Sequence, residues 1–381
     1  MPNAAASRLV LEPFSEARVT DTARSLLAEI GGRVSCAFVF ASREYREMLP
    51  DFLELIQVHG HVPTIAGCSG AGLIHTAVEV ESAVGFSVLF LHLPETEVRT
   101  VAFGPESSDW PQVKTDETFN GWIILGDPTS MPVEPWLRHW NATHPGVPCL
   151  GGLASGSGAG EEFFVFQDRR LVESAVALGF KGGVRLETVV SQGCRPIGEP
   201  FTITGAEQNV VHSLGARRAY DRLTETVNSL SSGDKVRAQG NLFAGLAMTE
   251  YVDEFKTGNF LVRNLLGADP QSGALALGAL PRVGQTLQFQ LRDRRSANED
   301  LQRMLLEKTR LGVKPFASLA FCCIGRGEAL FGVPNHDAAA INEHFGPLPL
   351  AGFFCNGEIG PVGGANFVHG YTASIALLTS A

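Results

Sequence analysis

The chain has 381 residues, which exceeds one ordinary hydrophobic core and fits two domains. Hydrophobic residues make up 44% and charged residues 18%, so intrinsic disorder is not expected, and the 42 glycines indicate frequent tight turns. The formal net charge of −10 argues against a nucleic-acid partner, because the molecule as a whole repels phosphate backbones.

Three stretches of the chain share one order of predicted elements, namely a strand, a helix, a short strand with a glycine-rich loop, and another strand. The first strands are predicted at 34–40, 122–125 and 317–325. The helices are predicted at about 44–58, 134–141 and 337–344. The glycine-rich segments are 64–72, 149–160 and 350–364. This recurrence predicts a duplicated β-α-β unit, with a fourth, degraded copy at 242–248.

The segments between these units complete the predicted architecture. Alternating residues at 163–180 and 185–198 predict antiparallel hairpins, so the sheets are expected to be mixed. A helix at 216–230 is predicted to be a solvated connector, which places a domain boundary near residue 225, and a further helix is predicted at 297–311. We therefore predict a mixed α/β (α+β) fold of two related halves. Mixed sheets flanked by helices would form a layered αββα arrangement with internal pseudo-symmetry.

Cysteine usage and apolar runs bear on location and cofactors. Seven cysteines, an odd number without a CxxC pair, indicate neither a disulfide framework nor a structural metal site. The longest apolar stretch, 83–93, is far shorter than the ~20 residues that cross a bilayer. The N-terminus lacks the basic head and apolar segment of a signal peptide. We expect a cytoplasmic protein with no metal, no cofactor and no membrane partner.

The glycine-rich loops are the first candidate for a site. Turns after buried strands place backbone N–H groups at the carboxyl edge of a sheet, where ligands of open α/β sheets bind. The alternative is that the glycines only allow positive φ. Three homologous loops favour a shared cleft, because related units bring equivalent loops together. Residues 67–71 (GCSGA) are similar to the nucleophile elbow of serine hydrolases, but a predicted strand follows them where the elbow requires a helix. Residues 156–160 (GSGAG) do not match the dinucleotide-binding pattern GxGxxG.

The cysteines suggest a second kind of chemistry. Cys68 and Cys355 lie in the recurring loops, and Cys194 precedes Arg195, whose guanidinium would favour a thiolate. Each cysteine can equally be a small buried apolar residue. A cysteine nucleophile needs a positioned histidine, and His369 is the nearest to Cys355 in sequence. A Cys-dependent enzyme acting on a small amide or thiol substrate is therefore an open alternative.

Two sets of longer motifs carry a family resemblance. The first set is 350–377 (LAGFFCNGEIGPVGGANFVHGYTASIAL), 260–278 (FLVRNLLGADPQSGALALG) and 283–293 (VGQTLQFQLRD). The second set is 66–72 (AGCSGAG), 125–128 (LGDP), 151–156 (GGLASG) and 191–200 (SQGCRPIGEP). These sets resemble the FIST C and FIST N domains of the FIST (F-box and intracellular signal transduction) family. The resemblance implies a lead-in at 1–33, a FIST N domain at 34–225 and a FIST C domain at 226–381, in a stand-alone bacterial-type protein.

The resemblance also implies a function. It predicts a small-ligand-binding sensory module for intracellular signal transduction, with an amino acid or similar metabolite as ligand and an unknown downstream signalling protein as partner. A Cys-dependent enzyme or a protein-interaction scaffold are the alternatives, and a binding protein is favoured over an enzyme. The candidate ligand-binding residues are Cys68, Ser69, Gly152, Ser155, Ser191, Gln192, Cys194, Arg195, Arg263, Asn264, Cys355, Asn356, Glu358 and His369.

Some of these candidates have predictable roles. Arg195 or Arg263 could clamp a carboxylate bidentately. Asn264, Asn356 and Glu358 could receive an ammonium or amide group. The rival interpretation is that Glu358 pairs with a buried arginine for structural reasons alone.

Overall fold

A computed structural model describes residues 2–110, 118–156 and 163–381 of the protein. The chain forms two compact units. The first contains the chain up to Val190 together with Leu301–Val368 and Thr372–Ala381, and the second contains Ser191–Asp300 and His369–Tyr371. The second unit is therefore an insertion in the chain of the first. Residues 157–160 of the second glycine-rich segment lie outside the described residues.

The first unit begins with a repeat that ends at residue 92. Its elements are β1 (Ala4–Val10), α1 (Glu16–Ile30), β2 (Cys36–Ala41), a 3-10 turn (Arg43–Tyr45), α2 (Leu49–Gly60), β3 (Ile65–Ser69), β4 (Leu73–His75), β5 (Val78–Val80) and β6 (Phe86–His92). β2 and β3 are parallel, and β6 pairs antiparallel with both β2 and β1. This part of the sheet has the strand order β1-β6-β2-β3.

A second repeat follows with the same pairing scheme. Its elements are β7 (Thr96–Phe103), a 3-10 turn (Ser107–Asp109), β8 (Gly121–Gly126), α3 (Val133–Thr143), β9 (Cys149–Leu153), β10 (Val165–Gln167), β11 (Arg170–Val172) and β12 (Ala175–Gly182). β8 and β9 are parallel, and β12 pairs antiparallel with both β8 and β7. The strand order β7-β12-β8-β9 matches that of the first repeat.

The third repeat is interrupted by the second unit and begins with β13 (Val184–Gln192). The inserted elements are β14 (Cys194–Pro196), β15 (Phe201–Glu207), β16 (Val210–Leu214), β17 (Arg217–Arg218), α4 (Ala219–Ser229), α5 (Ser232–Arg237), β18 (Leu242–Ala247), β19 (Phe260–Ala268), β20 (Leu275–Leu277) and β21 (Thr286–Arg292). The repeat then continues with α6 (Arg294–Arg310), β22 (Ala317–Cys323), α7 (Gly327–Phe331), α8 (His336–Phe345), β23 (Leu350–Cys355), β24 (Glu358–Val362), β25 (Ala365–His369) and β26 (Thr372–Ser380). The strand order β13-β26-β22-β23 again matches the first repeat.

The three repeats are tied together by an exchange of hairpins. β4 and β5 of the first repeat extend the third sheet, where β4 pairs with β23. β10 and β11 of the second repeat extend the first sheet, where β10 pairs with β3. β24 and β25 of the third repeat extend the second sheet, where β24 pairs with β9. The exchange is cyclic, so each sheet is completed by another repeat.

The sheets of the first unit share one apolar core because their strands alternate. On β2, Phe38 and Phe40 point into the shared core, whereas Ala37 and Val39 pack beneath α1 and α2. The inner faces of β8 and β22 enter the same shared core. Their outer faces are covered by α3 and by α6 with α8, respectively. Strands buried on both faces read as continuous apolar runs, which is why the sequence predicts them well.

One glycine position recurs in all three repeats for a steric reason. Gly67, Gly151 and Gly352 occupy equivalent places on β3, β9 and β23. A Cβ atom there would lie 1.9, 1.8 and 2.0 Å, respectively, from a carbonyl oxygen of the neighbouring parallel strand. Those oxygens belong to Val39, Ile124 and Ala320. A side chain at any of the three would therefore force the two strands apart.

The second unit is built around a closed six-stranded antiparallel sheet. The strands follow the order β18-β21-β15-β16-β20-β19, and β19 pairs back with β18. Its interior is apolar and includes Ile203, Leu246 and Phe289. α4 carries few buried side chains, Ala219 and Thr226 among them, in keeping with its charged sequence.

These observations confirm the mixed α/β class and the three recurring units. The internal symmetry is threefold within the first unit, and three sheets surround one core. The predicted fourth copy is wrong, because Leu242–Ala247 forms β18, an antiparallel strand of the closed sheet. The first 33 residues contain β1 and α1, with Val19, Ala23 and Leu26 buried beside the first sheet. Residue 225 lies within α4.

Candidate functional site

The loops that follow β3, β9 and β23 meet in the first unit, and we call residues 70–72, 154–156 and 356–357 the loop junction. Backbone hydrogen bonds join the loops around the threefold arrangement. Ser155 N donates to Ser69 O at 3.0 Å, and Asn356 N donates to Leu153 O at 3.1 Å. Equivalent loops therefore converge, as the recurrence of the units predicts.

Ser155 closes the third side of the loop junction with its hydroxyl. Its Oγ accepts a hydrogen bond from Ala71 N at 2.8 Å and donates to Phe354 O. The side chain thus links the first and third repeats, beside the direct backbone bond from Phe354 N to Gly72 O at 3.1 Å. Because the hydroxyl both donates and accepts a hydrogen bond within the junction, Ser155 has a structural role there.

Seven candidate residues lie in the first unit, at or beside this junction. They are Cys68, Ser69, Gly152, Ser155, Cys355, Asn356 and Glu358. Cys68 points into the shared core, and Ser69 Oγ accepts a hydrogen bond from Phe164 N at 3.2 Å. A Cβ on Gly152 would lie 2.9 Å from Cys355 Cβ, so a side chain at 152 would collide with the cysteine. Asn356 is exposed and donates through Nδ2 to Ala154 O at 3.1 Å.

Two of these candidates belong to a group of buried ionisable side chains at the ends of β22 and β23. We call this group the Arg326 cluster, and its members are Glu79, Cys322, Arg326, Asp337, Cys355 and Glu358. Each of the six is buried, and Arg326 and Glu358 are completely inaccessible to solvent. Charged side chains are rarely buried without partners, so the cluster needs a physical explanation.

Arg326 and Asp337 form the ionic centre of the cluster. Arg326 Nε donates to Asp337 Oδ2 at 2.6 Å, and Nη2 donates to Oδ1 at 2.9 Å. Burial alone would raise the pKa of Asp337, but the charge and hydrogen bonds of Arg326 outweigh it and hold that pKa well below its usual range. Asp337 Oδ1 also lies 2.8 Å from His336 Nδ1. Asp337 is therefore ionised, and both of its oxygens are occupied.

Glu358 lies at the start of β24 and contacts the thiol of Cys355. Cys355 Sγ is 3.4 Å from Glu358 Oε1, and Thr372 N donates to Glu358 Oε2 at 3.1 Å. Burial raises the pKa of Glu358 to about 8, although the hydrogen bond from Thr372 N opposes this shift. Glu358 is therefore mostly protonated at neutral pH.

Glu79 reaches the cluster from the exchanged hairpin β4–β5. Its Oε1 accepts a hydrogen bond from Ala338 N at 2.7 Å, in the first turn of α8. Burial and the negative charge of Asp337 raise the pKa of Glu79 to about 8, against the opposing effects of Ala338 N and Arg326. At neutral pH the two raised carboxyls are thus mostly uncharged, and the charges of Arg326 and Asp337 cancel.

Gly327, next to Arg326, has a backbone conformation that favours glycine. Its φ is +64°, in the left-handed region that favours glycine. A Cβ there would lie 2.5 Å from Glu81 Oε1. The left-handed φ is the reason that the turn after β22 favours glycine, because the glutamate side chain could move away from a Cβ.

Four buried thiols of the first unit are not activated. Burial raises the pKa of Cys68, Cys322 and Cys355 well above the usual range, and nearby carboxylates add to the effect at Cys322 and Cys355. Burial also raises the pKa of Cys36 to about 12. A protonated, buried thiol is a poor nucleophile. These environments do not favour a Cys-dependent reaction at Cys68 or Cys355.

The other seven candidates lie in the second unit: Ser191, Gln192, Cys194, Arg195, Arg263, Asn264 and His369. Ser191 Oγ and Gln192 N each donate to Asp300 Oδ2 at 3.0 Å. Gln192 Nε2 also donates to Phe260 O at 2.7 Å. Cys194 is buried against Phe243.

The arginines proposed as carboxylate clamps have partners within the second unit. Arg195 forms ion pairs with Asp234 at 2.9 Å and Asp293 at 3.4 Å. Arg263 Nη1 donates to Val262 O at 3.1 Å. Asn264 Oδ1 accepts a hydrogen bond from Tyr371 Oη at 2.9 Å, and His369 is buried. The charge of Arg195 is thus balanced by two aspartates, unlike that of Arg326, which has one.

Other features of the described residues bear on the kind of site. No group of three or more His, Cys, Asp or Glu side chains in the described part is arranged to hold a metal ion. A groove of about 620 Å³ beside Phe103 and Arg169, and another of about 590 Å³ beside His92 and Thr96, contain none of the candidate residues. Within the described ranges, no helix is long and apolar enough to cross a membrane.

Sequence reasoning missed Arg326, Asp337 and Glu79. A signal for Arg326 was present, because a charged residue between two glycines directly follows the buried strand β22. Asp337 lies in the first turn of α8, where acidic residues are common, so an aspartate there does not by itself indicate a functional site. Glu79 offered none, because only the hairpin exchange brings it to residues some 250 positions away.

Comparison with known proteins agrees with the motifs. A FIST N domain model matches residues 35–217, and a FIST C domain model matches residues 218–361. An uncharacterized protein of Mycobacterium tuberculosis is 36% identical over 352 residues, which are 91% of this chain and 92% of that protein. An uncharacterized protein of Mycobacterium bovis is 34% identical over 373 residues, 96% of each chain.

A more distant similarity reaches a plant protein. An F-box/LRR-repeat protein of Arabidopsis thaliana is 35% identical over 99 residues, which are 25% of this chain and 18% of that protein. The two domain models together span most of the chain, and this protein therefore belongs to the FIST family. FIST domains are associated with sensing in signal transduction.

Proposed function

We propose that this protein is a small-ligand-binding sensory module for intracellular signal transduction, and that its ligand binds at the Arg326 cluster. The observation that carries this proposal is the state of Arg326. Its guanidinium is fully buried and lies over the ring of Phe331, with Cζ 5.1 Å from the ring centroid. Among the described residues, Nη1 has no hydrogen-bond partner. Buried polar groups are normally satisfied, and strongly perturbed ionisable groups concentrate at functional sites.

The position of the cluster supports a sensory role. Glu79 comes from the exchanged hairpin of the first repeat, whereas Arg326, Asp337 and Glu358 come from the third. A ligand that contacts both repeats would favour one arrangement of the hairpin over another. Such a difference in affinity is what allows a ligand to shift a conformational equilibrium. The downstream signalling protein would then recognise the arrangement that the ligand favours.

An amino acid or a similar small metabolite is the proposed ligand class. Cys355 and Glu358, which were candidate residues from the start, lie in the cluster itself. Asn356 is exposed beside them, so its amide could contact the part of a ligand that extends outward. The protonated thiols favour this binding role over a Cys-dependent enzyme.

Thermal unfolding in the presence of a library of amino acids and small metabolites tests the proposal. At least one compound should raise the melting temperature of the wild type, because a ligand that binds only the folded state stabilises it. The same compound should act more weakly on Arg326→Lys. Arg218→Lys is the matched control, since Arg218 forms an equivalent fork with Asp221 at the surface.

Two results would count against the proposal. If no compound of the library changes the melting temperature of the wild type, the ligand-binding role is refuted. If a compound raises the melting temperatures of the wild type and Arg326→Lys equally, the ligand does not bind at the Arg326 cluster.

A further inference from the structure

The hydrogen-bonding capacity of Arg326 exceeds what its neighbours supply. A guanidinium has five N–H donors and no acceptor. Nε and Nη2 donate to the two oxygens of Asp337, and Asp337 Oδ1 also faces His336 Nδ1. Nη1 is buried and has no acceptor among the described residues. A buried charged donor without an acceptor is costly, so this nitrogen is the point in the cluster where a ligand atom would gain most.

Apart from Asp337, the ionisable side chains of the cluster are poor sources of negative charge at neutral pH. Burial raises the pKa of both Glu79 and Glu358 to about 8. Burial likewise raises the pKa of the Cys322 and Cys355 thiols well above the usual range. Protonated carboxyls and thiols are hydrogen-bond donors. Donors therefore outnumber anionic acceptors in the cluster.

The main-chain contacts of the cluster add to this excess of donors. Thr372 N points to Glu358 Oε2, and Ala338 N points to Glu79 Oε1. Those carboxyl oxygens are therefore occupied and cannot turn toward Arg326 without losing a hydrogen bond. A positively charged ligand group would meet a guanidinium and several donors, which is unfavourable.

We infer that the Arg326 cluster binds a small ligand through an anionic oxygen, a carboxylate in the simplest case, that accepts a hydrogen bond from Arg326 Nη1. This inference rests on the proposed function and specifies which end of the ligand the cluster recognises. It differs from the expectation that Glu358 receives an ammonium group.

A ligand would reach Arg326 through the turn after β22 in this proposal. Ile324 is 41% exposed, only two positions before the buried arginine. The turn is held by hydrogen bonds from Ile324 N to Cys355 O at 3.2 Å and from Arg326 N to Cys323 O at 2.8 Å. Opening this turn would expose the guanidinium to a ligand of a few atoms. The first of these bonds continues the parallel pairing of β22 and β23 beyond Cys323, and the second closes the turn itself.

Paired ligands that differ in one group test the inference with the full chain. Acetate is compared with acetamide, and glycine with glycinamide, by thermal unfolding of the wild type. The carboxylates should raise the melting temperature and the amides should not. Arg326→Lys should bind the carboxylates roughly tenfold more weakly or worse, because a charge-assisted hydrogen bond is lost. Arg218→Lys should bind them like the wild type.

Arginine side-chain ¹⁵N signals provide a second measurement that needs no variant to fold. A buried arginine signal of the wild type should shift in a saturable way with acetate and stay fixed with methylammonium. The affinity for acetate should also fall as pH rises through about 8, because ionised Glu79 and Glu358 would repel it.

The outcomes separate this inference from the proposed function. If library compounds raise the melting temperature through Arg326 but the amides act as well as the carboxylates, the inference is overturned and the sensory role stands. The same holds if methylammonium, and not acetate, shifts the buried arginine signal. If no compound of the library binds, both the inference and the proposed function are refuted.

Discussion

Two arginine–aspartate forks of this protein have nearly the same geometry and opposite surroundings. In the first unit, Arg326 meets Asp337 through bonds of 2.6 and 2.9 Å, and their side chains are 0% and 2% exposed. In the second unit, Arg218 meets Asp221 through bonds of 3.0 and 2.9 Å, with side chains 52% and 37% exposed. Both forks join Nε to Oδ2 and Nη2 to Oδ1, and burial is the largest difference between them.

The physics of the two forks differs in what happens when one partner is removed. At the surface, water replaces the lost partner, and exposed ion pairs contribute little to stability. In the interior, the remaining charge has no solvent, and breaking a buried pair is strongly unfavourable. A buried fork is therefore weak evidence for stability but strong evidence that both partners are required together.

The largest expected effect follows from removing one carboxylate. Asp337→Ala should lower the free energy of unfolding by about 3–5 kcal/mol, because it leaves a buried guanidinium uncompensated. Asp221→Ala should leave the urea midpoint unchanged. Circular dichroism should follow the unfolding, because all four tryptophans lie in the first unit and would not report on the second. Equal effects of the two substitutions would show that burial does not distinguish the forks.

A pH titration should separate the two forks next. The folded-state pKa of Glu79 and of Glu358 is raised from 4.5 to about 8, so both carboxyls favour the folded state only when protonated. Their stabilising contribution is complete below about pH 4.5 and is lost as pH rises through about 8. The free energy of unfolding should therefore fall by a few kcal/mol across this window.

Variants locate the source of that pH dependence. Glu358→Gln should flatten part of the decline, because an amide does not titrate, and Glu79→Gln should flatten another part. A decline that persists unchanged in the glutamine variants would place the titrating groups elsewhere.

A smaller effect is expected from exchanging arginine for lysine. Arg326→Lys should cost about 1–3 kcal/mol, because one ammonium cannot reproduce the two parallel hydrogen bonds to Asp337. Arg218→Lys should have no measurable effect on unfolding by urea. A stable Arg326→Lys protein with wild-type stability would mean that charge, and not the fork geometry, holds Asp337.

Salt should produce the smallest difference. Double-mutant cycles on each fork measure the coupling between the two side chains. Coupling at the exposed fork should vanish at about 1 M salt, where the Debye length is about 3 Å. Coupling between Arg326 and Asp337 should persist, since salt does not enter the core. Loss of both couplings at high salt would indicate that solvent reaches the first fork.

Much of the first unit could be predicted from residues alone. β2, β8 and β22 were found because strands buried on both faces are continuous apolar runs. α1 was missed although its signals were present: Ser15 caps the helix, Gly31 ends it, and buried residues recur at helical spacing from Val19 to Ile30. The sequence of this segment therefore carries enough information to predict a helix.

The candidate site was predictable in part for the same reason. Cys355 and Glu358 were identified because they lie in a glycine-rich segment that recurs, and recurrence is visible in a sequence. The interpretation of Glu358 as an ammonium receptor depended on its being ionised. Burial reverses that expectation, since it raises the pKa of Glu358 to about 8, and burial is a property of the fold.

The sequence by itself determined most of the local elements, the three repeats and their glycine-rich segments, because these depend on neighbouring residues and on pattern. Only the tertiary structure decided which sheet each hairpin joins. Pairing of β4 with β23 links residues more than 270 positions apart, and no local preference specifies it. That pairing brings Glu79 to Asp337 and Arg326, so the composition and the charge of the cluster are consequences of the fold.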